Sequence, residues 1–324
     1  MTTDVAKPEP ADEFVPTDVQ EEAYSAVAEV GQQRLSRTRW TRMGIALRKA
    51  PPTAWFGMVV IALYLLCALF APLLAPFGEA QVFPVPYAPW GLFDGSQHVF
   101  GTDQIGRDVL SRLIYGARNT IGIALATTFL SFVIGGGLGL VAAIARGWTD
   151  QILSRLVDVL MAIPSLIFAL MLLSIFGTSM ISLIVIIAVL DSTRVFRLTR
   201  AVAVGVTVMD YVEAARLRGE GLGWVMRREI LPNIMPPMVA EFGLRFSFVF
   251  LTIAALSFLG LGIQPPTADW GSMVRENASL IQFAQYDMTA ALTPLLPAGA
   301  IALLTVAVNF VVDWFLHKTS GLKE

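Results

Sequence analysis

Asp210-Tyr211-Val212-Glu213-Ala214-Ala215-Arg216-Leu217-Arg218-Gly219 is followed, past a spacer, by Glu229-Ile230-Leu231-Pro232-Asn233. These residues form the centre of a polar island, Arg194 to Pro237, set between two apolar runs. Asp210 is placed to accept from the first free N–H groups of a helix, and Glu213 is placed to reach back to it. Ala214 and Ala215 keep one helix face thin. Gly219 suits the left-handed residue that closes a helix. A second helical segment is expected from about Leu222, including Arg227 and Arg228, with Pro232 as its stop. The pattern reads as helix, glycine turn, helix. An ordinary solvated loop is the other reading, and the caps argue for order over disorder.

Around this island the chain is strongly apolar. Its 324 residues are 55% hydrophobic and 15% charged, with a mean hydropathy of +0.65. That excludes a soluble domain of ordinary composition. The net charge of −2 gives no sign of a nucleic-acid partner, and none is expected. The one cysteine, Cys67, lies in an apolar run, which rules out an intrachain disulfide. His98 and His317 are far apart and have no ligand set nearby, so no metal site is expected.

Residues 1–33 are acidic, with Lys7 the single base, and read as a mostly disordered tail holding at most a short helix from Glu21 to Val30. They lack the basic start and apolar core of a signal peptide. Arg34, Arg37, Arg39, Arg42, Arg48 and Lys49 then precede the first apolar span, which predicts a cytoplasmic N-terminus. Six spans are expected: Trp55 to Leu74, Thr120 to Ala145, Ile152 to Phe176, Met180 to Val195, Pro237 to Leu261 and Ala291 to Leu316. The chain therefore divides into the tail 1–33, a segment 34–118 with the basic flank, the first span and an external stretch, and a core 119–324. The polar island is rich in arginine, whereas the outer loop from Gly262 to Thr289 has only Arg275. Arg107, Arg112 and Arg118 on the first outer segment run against this bias, offset in part by Asp103 and Asp108.

Within the spans, Glu241 and Arg245 share a helix face. They read as an ion pair near the cytoplasmic end, as do Asp191 and Arg194; a place on a transport pathway is the other reading. Asp158 fits either the pathway or the inner boundary. Gly135 and Gly139 have the spacing of close helix packing. Pro164 is expected to kink the third span.

Glu213, Ala214, Ala215 and Gly219, then Leu231 and Pro232, resemble the cytoplasmic EAA loop of ABC importer permeases. Two further stretches narrow the resemblance. Gly101-Thr102-Asp103-Gln104-Ile105-Gly106-Arg107-Asp108 precedes the second span, and Leu256-Ser257-Phe258-Leu259-Gly260-Leu261-Gly262 with Gln264-Pro265-Pro266 and Trp270-Gly271 follows the fifth. Together with Arg34 to Pro76 they resemble the C-type subunit of the dipeptide, oligopeptide and nickel branch, over residues 34–320. Glu229 departs from the family, where Ile is common, and Arg218 and Glu220 stand where apolar or small residues are more usual.

The resemblance implies an all-α polytopic membrane protein with six transmembrane helices and a cytoplasmic coupling helix, the type I ABC importer permease. It implies that Glu213, Ala214, Ala215, Leu217, Gly219, Leu231 and Pro232 dock on an ATPase. It offers Asp103, Gly106, Arg107, Asp108, Gln264, Pro265, Pro266 and Trp270 as the face toward an external substrate-binding protein; a structural lid is the other reading of that face. The implied partners are a homologous B-type permease, two ATP-binding subunits that hold ATP and Mg, the external binding protein and membrane lipid. The implied location is the bacterial plasma membrane, with both termini cytoplasmic. Relatives carry dipeptides, oligopeptides, nickel chelates, opines or sugars, and the sequence does not choose among them.

Independently of the family, no Gly-x-x-x-x-Gly-Lys-Ser/Thr loop is present, and Gly219, Gly221 and Gly223 do not make a dinucleotide pattern. No nucleophile and base are paired, so the chain is not expected to be an enzyme and carries no cofactor of its own. A secondary transporter would call for inverted repeats and midplane carboxylates. No convincing repeat is found, and the mid-span regions are nearly free of acids.

Overall fold

The computed structural model describes residues 50–95 and 97–320. The acidic tail and the basic flank Arg34–Lys49 lie outside these residues. The main helices are α1 Pro52–Leu69, α2 Val109–Ala145, α3 Gly147–Met161, α4 Ser165–Phe176, α5 Met180–Thr207, α6 Asp210–Leu217, α7 Leu222–Val225, α8 Leu231–Phe258, α9 Trp270–Asn277 and α10 Leu295–Ser320. Among the described residues there is no strand, only two isolated bridges, Val82 with Arg107 and Thr102 with Asp108.

Among the described residues, four helical stretches are long and apolar enough to cross a membrane: Pro52–Leu69, Val109–Ala145, Leu222–Phe258 and Met288–Lys318. A fifth arises if α3 and α4 count together, but an 87° bend separates them. This corrects the kinked but continuous third span expected from Ile152 to Phe176. Pro164 cannot donate a backbone hydrogen bond, and the helix stops at Met161 and restarts at Ser165. α4 is almost purely apolar. α3 is amphipathic: Trp148, Ile152, Leu156 and Val159 are exposed, while Asp150 and Asp158 pair with Arg200 and Arg197 of α5. The fourth expected span, within α5, is not among the four because Asp191, Arg194 and Arg197 interrupt its apolar run.

Among the described residues, α2 and α5 make the most extensive helix contact. A Cβ on Gly135 would come within 2.2 Å of the Ser192 carbonyl oxygen, and one on Gly139 within 2.8 Å of the Phe196 carbonyl oxygen. The small-residue spacing thus serves backbone approach. A Cβ on Gly137 would meet nothing within 4 Å. The main core joins Ile121 and Ala124 of α2, Leu183 and Ile187 of α5, Phe250 and Ile253 of α8 and Leu304 of α10. A second core at the other end gathers Leu140, Val195, Ala203, Val212, Ala215, Val225, Ile230 and Ile234.

Candidate functional site

The polar island folds as helix, glycine turn, helix. α6 begins at Asp210, and the residue ahead of it with extended backbone is Met209, which makes no side-chain cap bond. This corrects the capping box expected on Asp210. Asp210 and Glu213 instead lie in the first turn, where their charge opposes the helix dipole. The C-terminal end follows the expectation. Gly219 has φ +84°, its N–H donates to the Arg216 carbonyl at 2.9 Å, and the Glu220 N–H donates to the Ala215 carbonyl at 3.2 Å. That pair of bonds is a Schellman cap.

Pro232 does not stop the next helix. α7 runs into a π-helical turn, Met226–Ile230, and then directly into α8, with Pro232 in the first turn of α8. The wide turn accommodates the ring, and the Asn233 amide donates to the Glu229 carbonyl at 2.6 Å. Pro236 and Pro237 also lie inside α8. The fifth span therefore extends without a break into the polar island.

The island presents two faces. Val212, Ala215, Val225, Ile230 and Ile234 are buried in the second core, so Ala215 faces this chain's own helices. The other face is open: Glu213, Ala214, Gly219, Leu231 and Pro232 are exposed, and Leu217 is 82% exposed. Tyr211, Leu222 and Trp224 are exposed on the same segment, as are Arg216, Arg218, Arg227 and Arg228. Exposed apolar residues among charged ones are the composition of a protein-docking patch.

The first outer motif is folded inward. Asp103 is 1% exposed, and Arg107, Asp108 and Arg112 are as deeply buried. Asp103 Oδ2 accepts from Arg107 Nε at 2.7 Å and from Arg112 Nη1 at 2.6 Å. Glu276, at the end of α9, accepts from the same two guanidinium groups at 2.8 and 2.6 Å. Two arginines and two acids thus neutralise one another, which explains why Arg107 and Arg112 break the charge bias of the loops. Asp108 caps α2 through the Ser111 N–H at 2.7 Å and lies 2.9 Å from His98 Nδ1. Gly106 has φ +84°, and a Cβ there would come within 2.2 Å of the Phe83 carbonyl oxygen.

The second outer motif splits. Gln264, Pro265 and Pro266 are exposed, with a cis bond between the prolines. Trp270 is 1% exposed. It is a core residue, because the first turn of α9 packs onto α2. Val109 and Gly116 of α2 are buried as well. Burial makes Asp103, Gly106, Arg107, Asp108 and Trp270 the frame of the outer cap, and leaves Gln264, Pro265 and Pro266 on its surface.

Sequence reading missed Glu276, Glu79 and Asn119. Asn119 Nδ2 donates to Glu79 and to the Ala268 carbonyl, each at 2.8 Å, joining both outer segments to α2. Sequence reading also separated two pairs that the fold unites: Asp191 lies 3.7 Å from Arg245 and 3.9 Å from Arg194, and Arg245 lies 2.7 Å from Glu241. Among the described residues no group of His, Cys, Asp and Glu could hold a metal.

Residues 135–318 match the family model of the binding-protein-dependent transport system inner membrane component. The chain belongs to this family. Residues 38–89 also match the N-terminal transmembrane domain of oligopeptide transport permease C. The permease is 37% identical to the di/tripeptide transport system permease protein DppC of Pseudomonas aeruginosa, over 79% of this chain and 84% of that protein. It is 38% identical to the dipeptide transport system permease protein DppC of Escherichia coli K12, over 79% and 85%. Among solved structures, it is similar to the inward-facing MetNI methionine ABC transporter, at 18% identity and a TM-score of 0.49 over 64% of this chain and 97% of that one. The permease is thus a multi-pass transport subunit of the inner membrane.

Proposed function

We propose that this permease forms half of the translocation pathway of an ATP-driven importer for di- and tripeptides. The open face of α6, at the junction of two long helices, is the observation that carries the reading. A segment that exposes Leu217, Tyr211 and Leu222 together with arginines fits a cleft on a partner. Its residues Glu213, Ala214, Leu217, Gly219, Leu231 and Pro232 would seat on an ATPase, while Ala215 holds the helix to the spans. ATP and Mg would be bound by two such subunits and not by this chain. A homologous B-type permease would complete the pathway, and an external binding protein would deliver solute to the side bearing Gln264, Pro265 and Pro266. Six crossings, counting α5 and the bent α3–α4 pair, would put both termini in the cytoplasm. The curated relatives named for dipeptides and tripeptides support the solute class.

The test is uptake. The full assembly in proteoliposomes, supplied with internal ATP, should accumulate a labelled dipeptide and hydrolyse more ATP when loaded binding protein is added. Uptake of a competing solute in preference to di- and tripeptides would reject the solute class. Hydrolysis indifferent to the loaded binding protein would reject the importer reading.

A further inference from the structure

We infer that Asp191 is a positioning residue that clamps the two helices flanking the coupling segment into a single arm. This inference rests on the proposed coupling role of α6. Three observations lead to it. First, α5 ends at Thr207 and α6 begins at Asp210, while the other end of the segment passes through the π-helical turn straight into α8. α5 and α8 are therefore two legs that meet at the coupling segment. Second, Asp191 is 6% exposed and lies 3.7 Å from Arg245 of α8 and 3.9 Å from Arg194 on its own helix. Its other oxygen accepts from Ser131 of α2 at 3.2 Å. Arg245 in turn lies 2.7 Å from Glu241, and its guanidinium sits 4.8 Å from the centre of the Phe248 ring. One carboxylate thus reaches both legs and α2.

Third, the network is far from either end of the legs. Asp191 is about 16 Å along α5 from Met180, at the α-helical rise. Arg245 is about 20 Å along α8 from Phe258, the end remote from the coupling segment. Arg197 and Arg200, further along α5 toward the coupling segment, pair with α3. Asp191 and Arg245 therefore lie well inside the hydrocarbon thickness of about 30 Å. This differs from the interfacial pairs expected from the sequence. Charges at that depth are retained only when paired or facing water. Two acids and two bases balance here. Pairing that spans two helices, near the midplane and away from the coupling end, closes the structure formed by α5, α6 and α8. A push on α6 then moves both legs together instead of splaying them.

The experiment uses the complete assembly, with Cys67→Ser to clear the native thiol and spin labels at Val204 on α5 and Val239 on α8, both exposed. A third label is placed on the second permease. Between the nucleotide-free and vanadate-trapped states, the Val204–Val239 distance should stay within about 2 Å while the distance to the second permease changes. In Asp191→Asn, the Val204–Val239 distribution should broaden or shift on trapping, and uptake per ATP hydrolysed should fall about tenfold. Asp191→Glu should restore part of that ratio, which a general folding defect would not show. An unchanged distribution in Asp191→Asn, or parallel loss of uptake and hydrolysis with an unchanged ratio, would overturn the inference. Should Asp191→Asn fail to assemble, Arg245→Lys decides by the same two readings. If wild type recovers no ATPase subunits, the coupling reading itself fails, and the Val204–Val239 distribution in the purified chain with and without Asp191→Asn still decides the clamp.

Discussion

The Trp270 indole donates its N–H to the Leu113 carbonyl, 2.9 Å away, and its ring occupies the space that Gly116 leaves open, since a Cβ on Gly116 would lie 2.8 Å from Trp270 Cδ1. This fit joins the second outer segment to α2. Trp270→Ala should cost about 3–5 kcal/mol, and Gly116→Val about 1–3 kcal/mol through overpacking. Trp270→Phe keeps most of the volume and loses the donor, so its cost should be the smallest of the three. Thermal unfolding of the detergent-solubilised chain checks this order. Equal, small effects would show that α9 does not pack as described.

The buried cluster around Asp103 predicts an asymmetry. Removing one partner leaves a guanidinium uncompensated, so Glu276→Gln should destabilise by about 3–5 kcal/mol. The double change Arg112→Met, Glu276→Met removes charges in pairs and should cost less than the single change. Denaturant or thermal midpoints of the two variants give the comparison. A double variant less stable than Glu276→Gln would contradict it.

How much of this was legible in the sequence depended on range. Gly219 and the Gly135–Gly139 spacing are local signals, and both sit where the pattern placed them. Pro232 and Pro164 misled in opposite directions. A proline states that a donor is missing but not how the neighbouring turn adjusts, and the first was absorbed by a π-helical turn while the second broke its helix. For the outer motifs the sequence leaves two readings, a face toward a binding protein and a structural lid, and no local signal chooses between them. The charges of the first motif, on Asp103, Arg107 and Arg112, are spent internally with Glu276 from the other outer loop, while Gln264 of the second stays exposed. Likewise, Asp191 and Arg245 are far apart in sequence, and no spacing rule reports that α5 and α8 bring them together.

The glycines of α2 supply a graded test. Gly135→Ala and Gly139→Ala would force backbone-level clashes with α5, and each should cost at least about 1–3 kcal/mol. Gly137→Ala has open space and should gain up to about 1 kcal/mol from helix propensity. Thermal stability of the three single variants checks it. Destabilisation by Gly137→Ala as large as that by Gly135→Ala would contradict the α2–α5 contact.

Asp269 precedes α9, where its Oδ1 accepts the Ser272 N–H at 3.1 Å, and its Oδ2 is buried without a partner among the described residues. Burial raises its carboxyl pKa above the usual range, against the lowering effect of the Ser272 bonds. An acid with a folded pKa above its unfolded value penalises the fold at high pH, and that penalty fades as pH falls through the folded value. Asp269→Asn keeps an acceptor for Ser272 and removes the charge. It should be more stable than wild type by about 1 kcal/mol at pH 8, with the difference shrinking as pH falls through the raised folded value toward the ordinary carboxylate range, about pH 4. Thermal unfolding at the two pH values measures this, and a constant difference would rule it out.

Copurification is the most direct test of the coupling role of α6. Membranes expressing wild type, or the double variant Glu213→Lys, Gly219→Asp, are solubilised and the permease is captured. Both substitutions lie on the exposed side of the island, and Gly219→Asp also strains the cap at φ +84°. Wild type should retain the ATPase subunits and the second permease, and the variant should retain the second permease while losing the ATPases. A variant that keeps its ATPases, or a wild type that comes down alone, would contradict the account.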